Sequence, residues 1–395
     1  MDISKLNGCY EQIIEQFITE RRFKYNDFCQ VIGKHFEKKI LKFLPEEFSF
    51  EKRKIFPIMF GEGKRKVLIF TQMHGNEPTS TLALLDFLNF LEQTQEYQKL
   101  VNKELTLIII PLLNPDGLEK FDRRNAQGID INRDAKTLIS PEARILDKFS
   151  KQYNFEFALN IHDMELYYTS KPENLQTSLA MLAPECNENG DITPSREKSM
   201  KVISEVFLSL ESLAKNRIAK YSDKFTPEAF GDTLMERGTS SILLEAGSIF
   251  NDKERLFARK VVFLSIVKAV ESIATESFKN VSKQIYFQLP ENIRYNAFDL
   301  IIKNLTVKSK YENYTIDLGI RRIKPTFNPE DFTDDFQDYR ILNIGKLDKF
   351  GAINSFDASN YILKGDYSEI FIGRKADFEI SSTQKNEIIN IKSLL

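Results

Sequence analysis

The sequence has almost no charge excess of either sign. Its 55 Lys and Arg against 57 Asp and Glu among 395 residues leave a net charge of −2, so a polyanion-binding protein is not expected and nucleic acid is not an expected partner. Cysteine is equally scarce. Cys9, Cys29 and Cys186 are odd in number, widely spaced and without a CxxC pattern, which excludes a disulfide framework and a thiolate metal site. Long apolar runs are missing too. The longest, Leu105 to Leu113, falls far short of the roughly 20 residues that cross a bilayer, and no membrane partner is expected. Met1 to Asn7 carry charge and no apolar core, so a secretory signal peptide is not expected and a cytoplasmic location is.

What remains is a globular composition, 42% hydrophobic and 28% charged, which excludes low-hydrophobicity disorder. A chain of this length exceeds the roughly 250 to 300 residues at which a single core stops growing. Two domains are expected.

The first fifty residues read as helical, with Ile13, Ile14, Phe17 and Ile18 on one face of a 3.6-residue period, and Val31, Ile32, Phe36, Ile40 and Phe43 on another, until Pro45. From Arg53 apolar strands alternate with longer periodic segments. Strands are expected at Val67 to Phe70, Leu105 to Pro111, Phe155 to Ile161 and Ile242 to Leu244, and helices at Pro78 to Leu91, Pro141 to Tyr153, Arg196 to Lys215 and Lys253 to Ile273. That alternation implies an α/β fold with a mixed central sheet flanked by helices. After about Lys279 strand-like runs dominate, at Ile285 to Phe287, Phe298 to Val307, Tyr314 to Ile323, Ile341 to Ile344 and Glu369 to Ile372. Residues 1–279 are therefore expected to form one domain, with 1–50 as its helical lead, and residues 280–395 a small β domain.

Histidine is limited to His35, His74 and His162. His74 and Glu77 lie in a turn between an expected strand and a helix that Pro78 would open, His162 closes a strand, and Glu245 closes another. All lie at the carboxyl ends of strands, where open α/β sheets place their ligand crevice. Two imidazoles and a carboxylate are a known ligand set for catalytic zinc with one position left open. The residues alone leave other readings open: His74 and Glu77 also suit a helix-entry turn with an N-terminal charge, His162 a satisfied strand-end histidine, and His35, in a Lys-rich helical stretch, a structural role. Arg123, Arg124 and Arg133 crowd a turn-rich stretch from Asn114 to Asp134. Guanidinium groups there could grip a carboxylate, or could line a solvated loop.

Taken in order, His74-Gly75-Asn76-Glu77, Asn114-Pro115-Asp116-Gly117, Arg123 with Asn125 to Arg133, Asn160-Ile161-His162 and Leu244-Glu245-Ala246-Gly247 resemble the zinc metallocarboxypeptidase family, with its carboxypeptidase A-like or funnelin fold. The resemblance spans roughly residues 53 to 275. It implies one zinc per chain held by His74, Glu77 and His162. It further implies that Asn132 and Arg133 take a substrate's terminal carboxylate, that Arg123 rather than Arg124 polarises the scissile carbonyl, that Asp130 orients His74, and that Glu245 is the general base. Tyr221 is a candidate for the family's mobile tyrosine. Asp163, next to His162, receives no role.

The implied activity is hydrolysis of a C-terminal peptide or isopeptide bond through a zinc-activated water. The alternatives are an amidohydrolase or deacylase acting on acylated amino acids on the same fold, and a non-catalytic binding module. The expected partner is a peptide or acylated amino acid with a free carboxylate. The sequence assigns neither a side-chain preference, nor an oligomeric state, nor a role for the C-terminal β domain.

Overall fold

The computed structural model describes residues 2–221, 224–249, 252–323 and 338–395. The chain divides into two compact units. The first takes in the residues up to Leu166, Ser170–Pro172 and Thr177–Asn292; the second takes in Tyr167–Thr169, Glu173–Gln176 and Ile293–Leu395. Residues 280–292 thus belong to the first unit.

The first unit is built on an eight-stranded mixed sheet. Its strands in chain order are β1 (Lys42–Phe43), β2 (Ile58–Phe60), β3 (Arg65–Thr71), β4 (Leu105–Ile110), β5 (Phe157–Asp163), β6 (Leu179–Leu182), β7 (Ile218–Lys220) and β8 (Ser240–Ala246), and they lie in the order β1-β2-β4-β3-β5-β8-β6-β7. The four central strands β4, β3, β5 and β8 run parallel. Helices α1 (Ile3–Gly8), α2 (Tyr25–Lys38), α3 (Pro78–Gln93), α4 (Gln95–Glu104), α5 (Pro115–Lys120), α6 (Pro141–Gln152), α7 (Pro194–Leu210), α8 (Phe230–Glu236), α9 (Leu256–Thr275) and α10 (Gln284–Gln288) belong to the same unit.

Parallel strands buried on both faces need apolar residues at successive positions, and β3 and β4 supply them. Val67, Ile69, Leu107, Ile109, Leu159, Ile161, Ile242 and Leu244 join one core with α3, α7 and α9. Leu68, Phe70, Ile108, Ile110 and Ala158 join the opposite one with Ala143, Leu146 and Phe149 of α6 and Phe230 and Leu234 of α8. Alternation places Asn160 and His162 on the α6 side, together with Ala158.

Three local expectations give way to tertiary bonding. Residues 13–18 are not helical: the Asp86 carboxylate of α3 takes the Glu15 amide at 2.7 Å, Asn89 Nδ2 donates to the Ile13 carbonyl at 3.1 Å, and the Glu15 carboxylate takes the Phe17 amide at 2.7 Å. These bonds replace the i to i−4 ladder. Helix α2 stops at Lys38, where Lys39 turns left-handed, so Ile40 and Phe43 leave the helix and Phe43 pairs with Ile58. Ile285 to Phe287 form α10 instead of a strand, with Tyr286 buried and its hydroxyl accepting the Ala183 amide at 3.2 Å.

The second unit carries a seven-stranded sheet of β9 (Ala297–Val307), β10 (Tyr314–Arg322), β11 (Tyr339–Gly345), β12 (Gly351–Asp357), β13 (Tyr361–Lys364), β14 (Glu379–Ser382) and β15 (Ile388–Asn390). Leu300, Ile302, Leu318, Ile320, Ile341 and Ile380 are fully or almost fully buried in its core. Glu369 to Ile372 are not a strand. Arg374 donates to the Glu369 carbonyl and carboxylate at 2.7 and 2.9 Å, closing a turn that leaves Phe371 and Ile372 exposed.

Candidate metal centre and active site

The site is assembled where the central strands end. Between β3 and α3 the chain turns through Gln72, which is left-handed at φ 49°, and the Gln72 amide group donates back to the Gly75 carbonyl at 3.0 Å. Gly75 lies so close to α5 that a Cβ there would sit 1.9 Å from the Gly117 carbonyl carbon, and a Cβ on Gly117 would sit 2.5 Å from Asn114 Nδ2 and 2.7 Å from the Arg124 carbonyl oxygen, so neither position has room for a side chain. Asn114 completes the joint. Its Oδ1 caps the Gly117 amide at 2.9 Å and its Nδ2 donates to the Met73 carbonyl at 3.2 Å. The Asn-Pro-Asp-Gly segment is thereby a support for the turn that carries His74 and Glu77.

His74 Nδ1 lies 2.7 Å from Glu77 Oε1, His162 Nδ1 lies 2.8 Å from Glu77 Oε2, and the two Nδ1 atoms are 3.2 Å apart. All three side chains are buried, and their ligating atoms lie within 4.8 Å of one another. Facing imidazole nitrogens at that separation suit two ligands of one tetrahedral ion with bonds of about 2.0 to 2.1 Å, and the N,N,O donor set suits zinc. Among the described residues this is the one such cluster.

Asp130 holds His74 from behind. Its Oδ1 is 3.1 Å from His74 Nε2 and accepts the Asn132 amide at 3.0 Å, while Oδ2 accepts Arg123 Nε at 3.0 Å. A partner on the far nitrogen would fix which ring nitrogen faces a metal held here. Arg123 Nη1 also reaches Glu77 Oε1 at 3.3 Å, whereas Arg124 braces its own loop by donating to the Gly128 carbonyl at 2.8 Å. Asn132 is half-buried and its Oδ1 accepts the Phe230 amide at 3.0 Å, which ties the loop to the start of α8. Arg133 is exposed, with Nη1 on the Asn132 carbonyl.

Glu245 is the Cα partner of His162 across the parallel β5 and β8 pair. It is buried. Burial, and then the charges of Glu77 and Asp163, push its carboxyl well above the usual range, against the opposing influence of Arg123 and Arg255. Burial alone would also raise Glu77, yet the His74 and His162 rings outweigh it and hold that carboxyl well below the ordinary value. Burial opposes protonation of both imidazoles: His162 is lowered, while Glu77 and Asp130 lift His74 above its ordinary value. Glu77 and Glu245 are thus driven in opposite directions by their surroundings.

A family model described as zinc carboxypeptidase matches residues 14–240, more than half of the chain. This chain belongs to the zinc carboxypeptidase family. The matched stretch contains His74, Glu77 and His162 and ends just before Glu245. Among curated relatives, "Probable carboxypeptidase 2" of Arthroderma benhamiae is 23% identical over 349 residues, covering 82% of this chain and 59% of its own. Carboxypeptidase 2 of Trichophyton rubrum is 23% identical over 344 residues, covering 81% and 57%. The chain therefore spans less than two thirds of the length of these relatives. The fold is similar to that of a metallo-carboxypeptidase from Burkholderia cenocepacia (TM-score 0.52, 16% identity, 65% of this chain and 70% of that one) and of carboxypeptidase A from Helicoverpa armigera (TM-score 0.51, 13% identity, 71% and 82%).

In this member of the zinc carboxypeptidase family His35 lies apart from the cluster, paired through Nδ1 with Glu92 at 2.8 Å. Tyr221 follows β7 with its amide on the Met181 carbonyl at 2.9 Å; the adjoining Ser222 and Asp223 lie outside the described residues. No helix among the described residues is long and apolar enough to cross a membrane. Two participants escaped the sequence reading. Asp163 accepts the Thr79 and Ser80 amides at 2.9 and 2.8 Å, and Arg255 donates to the Met164 and Ala246 carbonyls at 2.8 and 3.4 Å, joining the ends of β5 and β8. Asp163 was visible as an acid beside His162, but its partners come from a helix far away in sequence. Arg255 carries no local signal.

Proposed function

We propose that the chain is a zinc-dependent carboxypeptidase that hydrolyses the C-terminal peptide or isopeptide bond of a substrate with a free carboxylate. The observation that carries this reading is the in-register pairing of Glu245 with His162 beside the three-donor cluster. A site that only stored a metal would not need a second buried carboxyl, outside the ligand set, driven towards neutrality.

In this reading His74, Glu77 and His162 hold one zinc, and Asp130 keeps His74 in the binding tautomer. Zinc, when bound, supplies a Lewis acid that acidifies water and polarises the scissile carbonyl. Glu245 takes a proton from the attacking water on a carboxylate oxygen and returns it to the leaving nitrogen. Its raised affinity for protons suits both halves of that exchange. Arg123, anchored through Asp130 and Glu77, offers positive charge to the oxygen that becomes anionic. Arg133, exposed, and Asn132 receive the terminal carboxylate; a guanidinium fork matches that group in charge and shape.

The test is hydrolysis by zinc-loaded protein of a peptide library in free-acid and C-terminally amidated forms, with acyl-amino acids alongside. Release of C-terminal residues from free acids alone is the expected result. Cleavage of acyl-amino acids without cleavage of peptides would replace the reading with a deacylase.

A further inference from the structure

The turn bearing His74 and Glu77 and the strand end bearing His162 are remote in sequence, so no covalent geometry sets their spacing. Asp163 joins them. Its backbone amide donates to Glu77 Oε2 at 3.2 Å, and its carboxylate accepts the first amides of α3, Thr79 N on Oδ2 and Ser80 N on Oδ1, immediately after Glu77. Arg21, from the irregular segment before α2, spans the same joint from outside. Its Nη2 lies 3.3 Å from Asp163 Oδ2, its Nε donates to Thr79 Oγ1 at 2.9 Å, and its own backbone amide donates to Glu254 at 2.7 Å, just ahead of α9. Asp163 is buried at the joint, its side chain 2% exposed, and that of Arg21 is 18% exposed.

We propose that Arg21 and Asp163 form a brace that sets the spacing of the metal ligands, which makes the N-terminal segment a positioning element of the zinc site. The inference rests on the zinc reading of the centre. Arg21 touches neither metal nor substrate and acts through Asp163 and Thr79.

Charge and geometry predict opposite signs for its removal. Arg21 is a cation near a cation site, so deleting it would by Coulomb's law alone tighten zinc binding slightly, and Arg255, 4.0 Å from Asp163, would still offset the acid. Loss of the brace instead lets the His74–Glu77 turn and the end of β5 drift, and loss of groups that orient ligands typically weakens metal affinity by about 10- to 100-fold.

The experiment is zinc affinity of the full chain by competition with a chelator, with thermal stability measured in parallel. Arg21→Ala is expected to weaken zinc about 10-fold or more. Arg21→Lys, which keeps one contact to Asp163, is expected to recover part of the loss. Asp163→Asn should weaken zinc as well, and adding Arg21→Ala to it should cost less than Arg21→Ala costs in the wild type, since partners in one network are not additive. If Arg21→Ala does not fold, Thr79→Val carries the same question, because it removes only the Nε acceptor; a several-fold weakening is expected. Unchanged or tighter zinc binding in a folded variant, whatever its melting temperature, overturns the brace. A wild-type chain without affinity for zinc would overturn the zinc reading itself, and the brace with it.

Discussion

Glu245 and His162 stand opposite each other in register on adjacent parallel strands, at the carboxyl ends of the central sheet, where His74 and Glu77 converge on His162. A donor of the candidate metal cluster and a buried carboxyl outside it are thereby fixed on adjacent strands. The loop from Arg123 to Arg133 adds cationic groups around it.

Replacing His162 by Ala leaves two of the three converging donors. Zinc content is expected to fall sharply, as measured by elemental analysis after dialysis at neutral pH, with the fold retained because β5 is fixed by its neighbours β3 and β8. Full occupancy in this variant would remove His162 from the site.

Arg133→Ala tests the carboxylate grip. Loss of one charge-assisted bond should cost about 1.5 to 3 kcal/mol on free-acid peptides and much less on amidated ones, read as kcat/KM. Equal losses on both substrates would show that Arg133 does not hold the carboxylate.

Asp232, at the start of α8, is raised to about 6 from 3.8 by burial, with a smaller push from Glu185, against the backbone amides of Thr226 and Asp232 and the charge of Arg133. A carboxyl raised in the folded state contributes stability that is fully present below 3.8 and lost as pH rises through about 6. Asp232→Asn should therefore be more stable than the wild type above pH 6, by on the order of 2 to 3 kcal/mol, with the gap closing below pH 4. Its amide oxygen can still accept the Thr226 amide, now at 3.0 Å. Denaturant titrations at pH 4 and pH 7.5 measure both. An unchanged gap between the two pH values would contradict the assignment.

The central sheet was legible because parallel strands buried on both faces leave uninterrupted apolar runs such as Leu105 to Ile110, and the candidate donor cluster because its histidines sit where those runs stop. Roles that depend on partners from distant segments were not legible. Asp163 reads as an ordinary acid until the α3 amides are brought to it, and Arg21 as one of several surface cations. The error at 13–18 has the same origin, since Asp86 and Asn89 draw the backbone out of a helix its apolar spacing favours. In the second unit β12, Gly351–Asp357, has little buried apolar surface and left no clear alternation to read.

The central claim is that Glu245 is the base of a zinc-dependent hydrolysis, and single-turnover cleavage by Glu245→Gln, with zinc content and substrate binding measured on the same sample, tests it most directly. The account predicts that zinc and substrate are retained while turnover falls by about 10²- to 10⁴-fold. In the wild type, activity should fall as pH drops through the raised Glu245 value, because protonation removes the base. A fully metallated Glu245→Gln protein that turns over as fast as the wild type would contradict it.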